Sequence, residues 1–246
     1  MPAGGAREGM GLADDLRGMV VRAFYGADPP EGMRRVYSPD AAFIKAIVYE
    51  HWQFLQHFPR WCGAVMARAP HEDVWIYEVD NLHEELVHDE GAGSGHYQIM
   101  RDAAREVGWT EADLARGPGP KMARAIRDWW DICATRPWPE AMAAIHGTEM
   151  LADQRLKKHP EFRQPAIVSD SGFSASRGYG PAVQRWLNTT AADTAHAGRA
   201  AALVEKYAAT DATEEGVRRT FARSMDDMRL YFEAVVDRRA EVLRHG

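Results

Sequence analysis

The sequence has only two cysteines among its 246 residues, Cys62 and Cys133. Two cysteines are too few for a disulfide framework, and each lies among apolar and aromatic neighbours that are typical of a packed helix. This scarcity favours a reducing compartment. We therefore expect a cytoplasmic protein.

Long apolar runs and an excess of basic residues are also missing. No uninterrupted apolar run reaches the roughly 18–20 residues that a membrane-spanning helix needs, and the N-terminal segment lacks the apolar core of a secretion signal. The formal net charge is −6, whereas nucleic-acid-binding proteins concentrate Lys and Arg on one face. We expect neither a membrane nor a nucleic acid as a partner.

Alternation of β-branched residues is also scarce, so we predict no strand. Ala, Leu, Met, Arg and Glu are plentiful, and apolar residues recur at helical spacing. The chain is long enough to bury one substantial core without a second domain. We predict an all-α domain over residues 11–246, preceded by a flexible tail of residues 1–10.

Proline- and glycine-rich steps divide this domain into predicted helices. They cover residues 12–24, 40–68 with a break near Phe58 and Pro59, 71–90, 94–107, 111–115, 120–134, 138–158, 179–208 and 213–243. Asp40 and the Thr110–Asp113 pair resemble helix starts, the second close to a capping box.

Carboxylate and imidazole groups recur on three of these helices at spacings that can place them on one face. Glu85 and His96 share a face if helical geometry continues through the intervening glycines. Asp193 and His196 are three residues apart and therefore neighbours on a helix surface. Glu149 follows an apolar stretch, where a carboxylate is costly to bury unless it is paired or bound to a metal.

Such Glu and His residues on facing helices are how di-iron carboxylate proteins hold their metals. From spacing alone, however, a solvated helix face is the alternative.

Four segments of the chain, in order over residues 40–210, resemble the heme-oxygenase-like di-metal oxidases. This family contains the chlamydial protein associating with death domains and belongs to the broader superfamily of thiaminase II and pyrroloquinoline-quinone synthase. The matching segments are His57-Phe-Pro-Arg-Trp61, Asn81-Leu-x-x-Glu85 with His96 and Gly108-x-Thr110, Ala143-Ala-Ile-His-Gly-Thr-Glu149, and Asp193-Thr-Ala-His196-Ala. The resemblance implies a single-domain heme-oxygenase-like bundle of about seven or more helices.

The resemblance also implies a non-heme iron site that binds two Fe(II) ions and uses O2 as co-substrate, with no catalytic residue beyond the metal ligands. The implied ligands are Glu85, His96, Glu149, Asp193 and His196. Two departures from the family pattern leave alternatives open. An insertion around Gly91–Gly95 makes His88 a rival of His96. Thr189 stands where the family commonly has a third histidine, so we expect one firm and one labile iron site.

His146 is a further candidate ligand, with a core histidine bonded to a backbone carbonyl as its alternative. Candidates for a substrate pocket are Tyr179, Trp186 and Lys158.

The resulting hypothesis is an O2-dependent oxidoreductase that acts on a small substrate. As the substrate, we favour an amino acid over a fatty acid. We expect a role in natural-product biosynthesis and a homodimer. A metal-free quinone-synthase-like or thiaminase-like enzyme is the alternative, the latter needing a nucleophilic cysteine such as Cys133. A helical adaptor is the non-enzymatic alternative, and it predicts that Glu149 and Asp193 are exposed.

Overall fold

The computed structural model describes residues 11–89, 93–163, 179–189 and 193–245, the last range without the side chains of residues 193–195. The predicted tail, residues 1–10, lies outside the described residues. Within these ranges the regular structure is helical, apart from one isolated bridge between Asp89 and Ser94. The predicted all-α fold class is therefore confirmed.

Twelve α-helices are present in the described ranges. They are α1 Leu12–Val20, α2 Glu31–Val36, α3 Ala41–Leu55, α4 Phe58–Met66, α5 Glu72–Leu86, α6 His96–Glu106, α7 Glu111–Leu114, α8 Pro120–Thr135, α9 Trp138–His146, α10 Pro181–Thr189, α11 Asp193–Asp211 and α12 Glu214–His245. A π-helical turn, Val21–Tyr25, extends α1, and two 3-10 turns, Glu149–Ala152 and Gln154–Lys158, follow α9.

Capping side chains and a proline begin several helices at the predicted positions. The Asp40 side chain accepts a hydrogen bond from the Phe43 backbone N–H and caps α3. Thr110 and Asp113 form the complete capping box of α7. The predicted break between α3 and α4 is present, and Pro59 lies in the first turn of α4.

The single helix predicted for residues 138–158 is wrong, because α9 ends at His146 and two 3-10 turns follow. The Thr148 hydroxyl donates to the Ile145 carbonyl at 2.7 Å and so competes with regular helical bonding. Gly147 also lies close to α12: a Cβ there would be 2.5 Å from the ring of Phe221. Glu149 therefore begins a 3-10 turn instead of continuing a helix.

Of the predicted helix 179–208, α10 and α11 are described, and residues 190–192 between them lie outside the described part of the chain. Helix α2 was not predicted, because its six residues directly follow Pro29 and Pro30, a pair that indicates a turn.

The long helix α12 lies at the centre of the bundle and packs against α2, α3, α8 and α9. The larger core contains the buried aromatic side chains Phe54, Phe58, Trp61 and Trp129. A polar link crosses this core: Trp129 Nε1 donates to Ser224 Oγ at 2.9 Å, and Ser224 Oγ donates to the Ala144 carbonyl at 2.6 Å. This link fixes α9, which leads to Glu149, against α8 and α12.

A smaller core lies between α3, α6, α7 and α10 and includes Trp52, Met100, Val183 and Trp186. Helix α5 packs against α4, α6 and α11. Because α11 is distant from α5 in sequence, their packing brings distant side chains together. Among the described residues, no helix combines the length and the apolar content needed to cross a membrane.

One buried carboxyl group in α12 gives a stability prediction. Burial and the nearby Asp128 raise the pKa of Asp227 to about 8, and Asp227 Oδ2 has no hydrogen-bond partner in the described structure. Because the folded pKa is raised, the folded chain holds this proton more tightly than the unfolded chain. The associated stability is fully present below the unfolded pKa of about 3.9 and is lost as the pH rises towards 8.

We therefore expect Asp227→Asn to raise the free energy of unfolding by about 1–3 kcal/mol at pH 8 and by much less at pH 5. Urea denaturation at the two pH values measures this difference. Asp226→Asn, which changes the exposed neighbouring carboxylate, is the matched control and should stay within about 0.5 kcal/mol of the parent. An increase in the unfolding free energy of Asp227→Asn that is the same at both pH values would contradict the prediction.

Candidate metal centre

Helix α5 presents polar groups to the protein interior. Glu78, Asn81 and Glu85 follow one another at spacings of three and four residues, so they share one helix face, and all three are buried. Carboxylates are costly to bury without a cation or a hydrogen-bond donor nearby. The partners of this face therefore define the candidate site.

The first partner of α5 is His96, the first residue of α6. Its Nδ1 lies 2.9 Å from Glu85 Oε1, and its Nε2 lies 2.9 Å from Asp89 Oδ2. The other oxygen of Glu85, Oε2, is buried and has no hydrogen-bond partner in the described structure. His88, the rival candidate, is exposed. The contact to Glu85 is thus made by His96.

A continuous helix does not bring Glu85 and His96 together. Helix α5 ends at Leu86, and the chain turns back so that Gly95 lies against the backbone of α5. A Cβ on Gly95 would be 2.8 Å from the Leu86 carbonyl carbon. The absence of a side chain at Gly95 therefore permits the close approach that seats His96 beside Glu85.

The second partner of α5 is His146, the last residue of α9. His146 Nε2 lies 3.0 Å from Glu78 Oε1, and its Nδ1 lies 3.3 Å from Glu149 Oε1 and 3.2 Å from the Tyr77 hydroxyl. Asn81 Nδ2 also donates to Glu149 Oε1, at 3.3 Å. Both nitrogens of the imidazole ring thus face carboxylates, which differs from the predicted alternative of a bond to a backbone carbonyl.

Charge is concentrated in this buried cluster. Burial opposes a positive charge on His146, but the carboxylates of Glu78 and Glu149 outweigh it and raise the His146 pKa to about 10. Burial alone would raise the pKa of Glu149, yet the charges of His146 and His196 lower it. The two carboxylates therefore favour the imidazolium form of His146.

His196, on α11, also contacts α5. Its Nε2 lies 3.1 Å from Glu84 Oε2, and the Tyr77 hydroxyl donates to its backbone carbonyl at 3.5 Å. His196 is close enough to Glu149 to lower the pKa of that carboxyl. Asp193 is the first residue of α11, and its side chain lies outside the described residues.

Burial and then the charges of Glu78, Glu149 and Glu85 raise the pKa of Cys62, so all three carboxylates lie within electrostatic reach of this thiol. The structure thus places Glu85, His96, Glu149 and His196 around α5. Their direct contacts differ from the predicted set, since His196 contacts Glu84 and Glu149 contacts His146.

The remaining candidate residues lie at the edges of this region. The Thr189 hydroxyl donates to the Trp186 carbonyl at 2.7 Å, within its own helix. Trp186 is buried, and its ring packs 5.3 Å from that of His51. Tyr179 is half-buried beside the smaller core. Lys158 is exposed at the end of a 3-10 turn.

Several groups of the site were not predicted from the sequence. They are Cys62, Tyr77, Glu78, Glu84 and Asp89. A signal for Glu78 was available, since Glu78, Asn81 and Glu85 repeat at helical spacing on one face. The other four gave no comparable signal, because their partners are distant in the chain or lie beyond a turn.

Both cysteines are buried free thiols. Burial, followed by the charge of Glu78, raises the pKa of Cys62 well above its usual range. Burial also raises the pKa of Cys133 to about 12, although Arg68 opposes this. Because the thiolate is the nucleophile, neither residue is activated for covalent catalysis.

Comparison with known proteins places this site in a family. A family model described as the TENA/THI-4/PQQC family matches residues 40–237. The chain belongs to the TENA/THI-4/PQQC family. Members of this family are generally enzymes. The broader superfamily implied by the sequence is thereby confirmed, while the di-metal oxidase group within it remains a prediction.

A solved structure supports the same fold. A TenA homologue from Pseudomonas syringae pv. tomato superposes with a TM-score of 0.64 and 14% sequence identity, over 92% of this chain and 90% of that chain. At this identity the similarity shows the helical fold alone. None of the curated proteins matches the chain significantly.

Proposed function

We propose that this family member is an O2-activating non-heme iron oxidase or oxygenase with a small, amino-acid-like substrate. One observation carries the proposal: Glu85 Oε2 and Glu149 Oε2 are both buried without a hydrogen-bond partner in the described structure. Each belongs to a carboxylate that lies beside a histidine. Carboxylate and imidazole groups in this arrangement suit iron.

The proposed ligands are Glu85, His96, Glu149, Asp193 and His196. Fe(II) held by these residues would supply the electrons that reduce O2. His96 Nδ1 faces Glu85, and its other ring nitrogen, Nε2, faces Asp89. Such an outer carboxylate fixes the orientation of a metal-binding imidazole. Asn81 holds Glu149 in a similar way by donating to its Oε1.

The proposed site has one firm and one labile iron position. A hydroxyl is a poor ligand compared with an imidazole, and the Thr189 hydroxyl already donates to the Trp186 carbonyl. One ion would therefore be held by fewer protein groups than the other.

The proposed substrate binds beside the aromatic side chains at the edge of the site. Trp186 and His51 pack against each other there, and the His51 Nδ1 lies 3.1 Å from the Tyr231 hydroxyl. Burial and the charge of His96 lower the pKa of His51 to about 4. A neutral imidazole within an aromatic wall suits a small, partly apolar molecule. Screening free amino acids for substrate-dependent O2 consumption tests this part of the proposal.

The alternatives receive less support. A thiaminase-like mechanism needs a reactive thiolate, whereas Cys62 and Cys133 are buried thiols with raised pKa values. An adaptor that binds through an exposed acidic face requires an exposed Glu149, but only 11% of this side chain is accessible.

Anaerobic titration with Fe(II), followed by addition of O2, tests the proposal directly. We expect stoichiometric iron uptake with one tight and one weaker step, and a transient visible absorption after O2 is added. Glu149→Gln should remove this absorption. Glu72→Gln, which changes an exposed carboxylate at the start of α5, should leave it unchanged. If the parent chain takes up no stoichiometric iron, the proposal is wrong.

A further inference from the structure

Three metal-binding side chains meet in the core outside the proposed iron ligands. Cys62 comes from α4, Glu78 from α5 and His146 from α9, and all three are almost completely buried. One donor atom from each lies within 4.8 Å of the other two. Because the three residues come from three different helices, the bundle itself brings them together.

The spacing is close to that of a bound metal ion. Bonds of about 2.0–2.3 Å from a tetrahedral ion place its donor atoms roughly 3.3–3.8 Å apart. A contraction from 4.8 Å by about 1.0–1.5 Å would therefore let the three groups share one ion. The combination of sulfur, nitrogen and one carboxylate suits zinc and similar transition-metal ions, whereas magnesium and calcium prefer oxygen ligands alone.

A second observation points to a missing ligand at this place. Glu78 is fully buried, and its Oε2 has no hydrogen-bond partner in the described structure. Oε1 of the same carboxylate contacts His146 at 3.0 Å. The Cys62 thiol already lies within hydrogen-bonding reach of the Glu78 carboxylate, and a cation that replaced the thiol proton would also satisfy the Oε2 atom.

The support that a metal-binding histidine needs is also in place. Such a histidine usually gives its second ring N–H to a carboxylate, which fixes the ring orientation. His146 Nε2 faces Glu78, while its Nδ1 lies 3.3 Å from Glu149 Oε1. The ring is thus oriented with one nitrogen towards the three-residue cluster and the other towards an anchoring carboxylate.

We propose that Cys62 Sγ, the Glu78 carboxylate and His146 Nε2 form a separate binding site for a divalent transition-metal ion of the zinc and cobalt class. Binding replaces the thiol proton of Cys62 and the proton on His146 Nε2, and both protons leave to solvent. The site shares no ligand with the proposed iron centre, although Glu149, a proposed iron ligand, anchors the His146 ring.

Cobalt(II) titration of the purified full-length chain tests this site, because a cobalt–thiolate bond absorbs in the near ultraviolet and carboxylate or imidazole ligands do not. The titration is done under anaerobic conditions with a phosphine reductant, which keeps the thiols reduced. We expect a sulfur-to-cobalt charge-transfer band that saturates at one ion per chain and disappears when zinc is added in excess.

Two cysteine variants provide a matched pair. Cys62→Ser should abolish the band and weaken cobalt binding by at least about 10-fold. Cys133→Ser changes the other buried cysteine and should retain the band. Circular dichroism shows whether each variant is folded. If Cys62→Ser does not fold, Glu78→Gln in the presence of the intact thiol should reduce the cobalt affinity by a similar factor.

The variant Glu85→Gln separates this site from the iron centre. It removes a proposed iron ligand but should leave the thiolate band intact. Loss of iron uptake with retention of the band supports two separate sites. A folded parent chain without a charge-transfer band, or a band that persists in folded Cys62→Ser, would overturn the inference whatever the result of the iron titration.

Discussion

Glu78→Ala is expected to lower the free energy of unfolding by about 3–5 kcal/mol, because it removes one partner of a completely buried ion pair. Glu78 Oε1 lies 3.0 Å from His146 Nε2, and neither side chain has appreciable contact with solvent. Without this carboxylate the imidazolium of His146 keeps only Glu149 as a counter-ion. Urea denaturation of the metal-free protein at pH 7 measures the loss.

Glu84→Ala is the matched control, on the same helix and also paired with a histidine. Glu84 contacts His196 at 3.1 Å, but a third of its side chain is exposed. Exposed pairs contribute little, so we expect a loss of at most about 1 kcal/mol. Equal losses of unfolding free energy in the two variants would show that burial of the Glu78–His146 pair does not determine how much the pair stabilises the fold. Should Glu78→Ala fail to fold, Glu78→Gln offers the milder comparison.

The helical framework could be predicted from local sequence because local interactions set most of its boundaries. Asp40 and Thr110 cap helices with their own side chains, and Pro59 marks the start of α4. The early end of α9 has a tertiary cause besides the local Thr148 hydrogen bond. At Gly147, the chain must pass the ring of Phe221 on α12, which is distant in sequence. No local pattern before Glu149 reveals that neighbour.

The site was harder to predict than the framework because its pairs join distant helices. Glu78 and His146 are 68 residues apart, and spacing along one helix gives no information about the partner of a residue on another helix. The spacing of Glu78, Asn81 and Glu85 could have indicated a polar interior face. It could not have indicated that His146 lies opposite.

Adjacent residues on α5 face different neighbours. Glu84 and Glu85 differ by about 100° around the helix axis, so Glu84 contacts His196 while Glu85 contacts His96. The sequence resemblance identifies Glu85 alone. The contact of His196 is therefore with a carboxylate that the resemblance does not include, and Glu84 would compete with a metal ion for His196.

His96→Ala should reduce iron-dependent O2 consumption by at least about 100-fold, because loss of an outer-shell partner alone typically costs 10–100-fold and His96 is proposed as a ligand. His88→Ala should stay within about 3-fold of the parent, since His88 is exposed and three residues beyond Glu85, whereas His96 Nδ1 lies 2.9 Å from Glu85 Oε1. Iron content per chain, measured in parallel, separates loss of metal from loss of activity. The two substitutions remove the same side chain on either side of the same turn, so a folding effect of the turn would affect both.

A large loss of O2 consumption with His88→Ala and a small one with His96→Ala would assign the ligand to His88. That result would require the turn before α6 to rearrange when the metal binds.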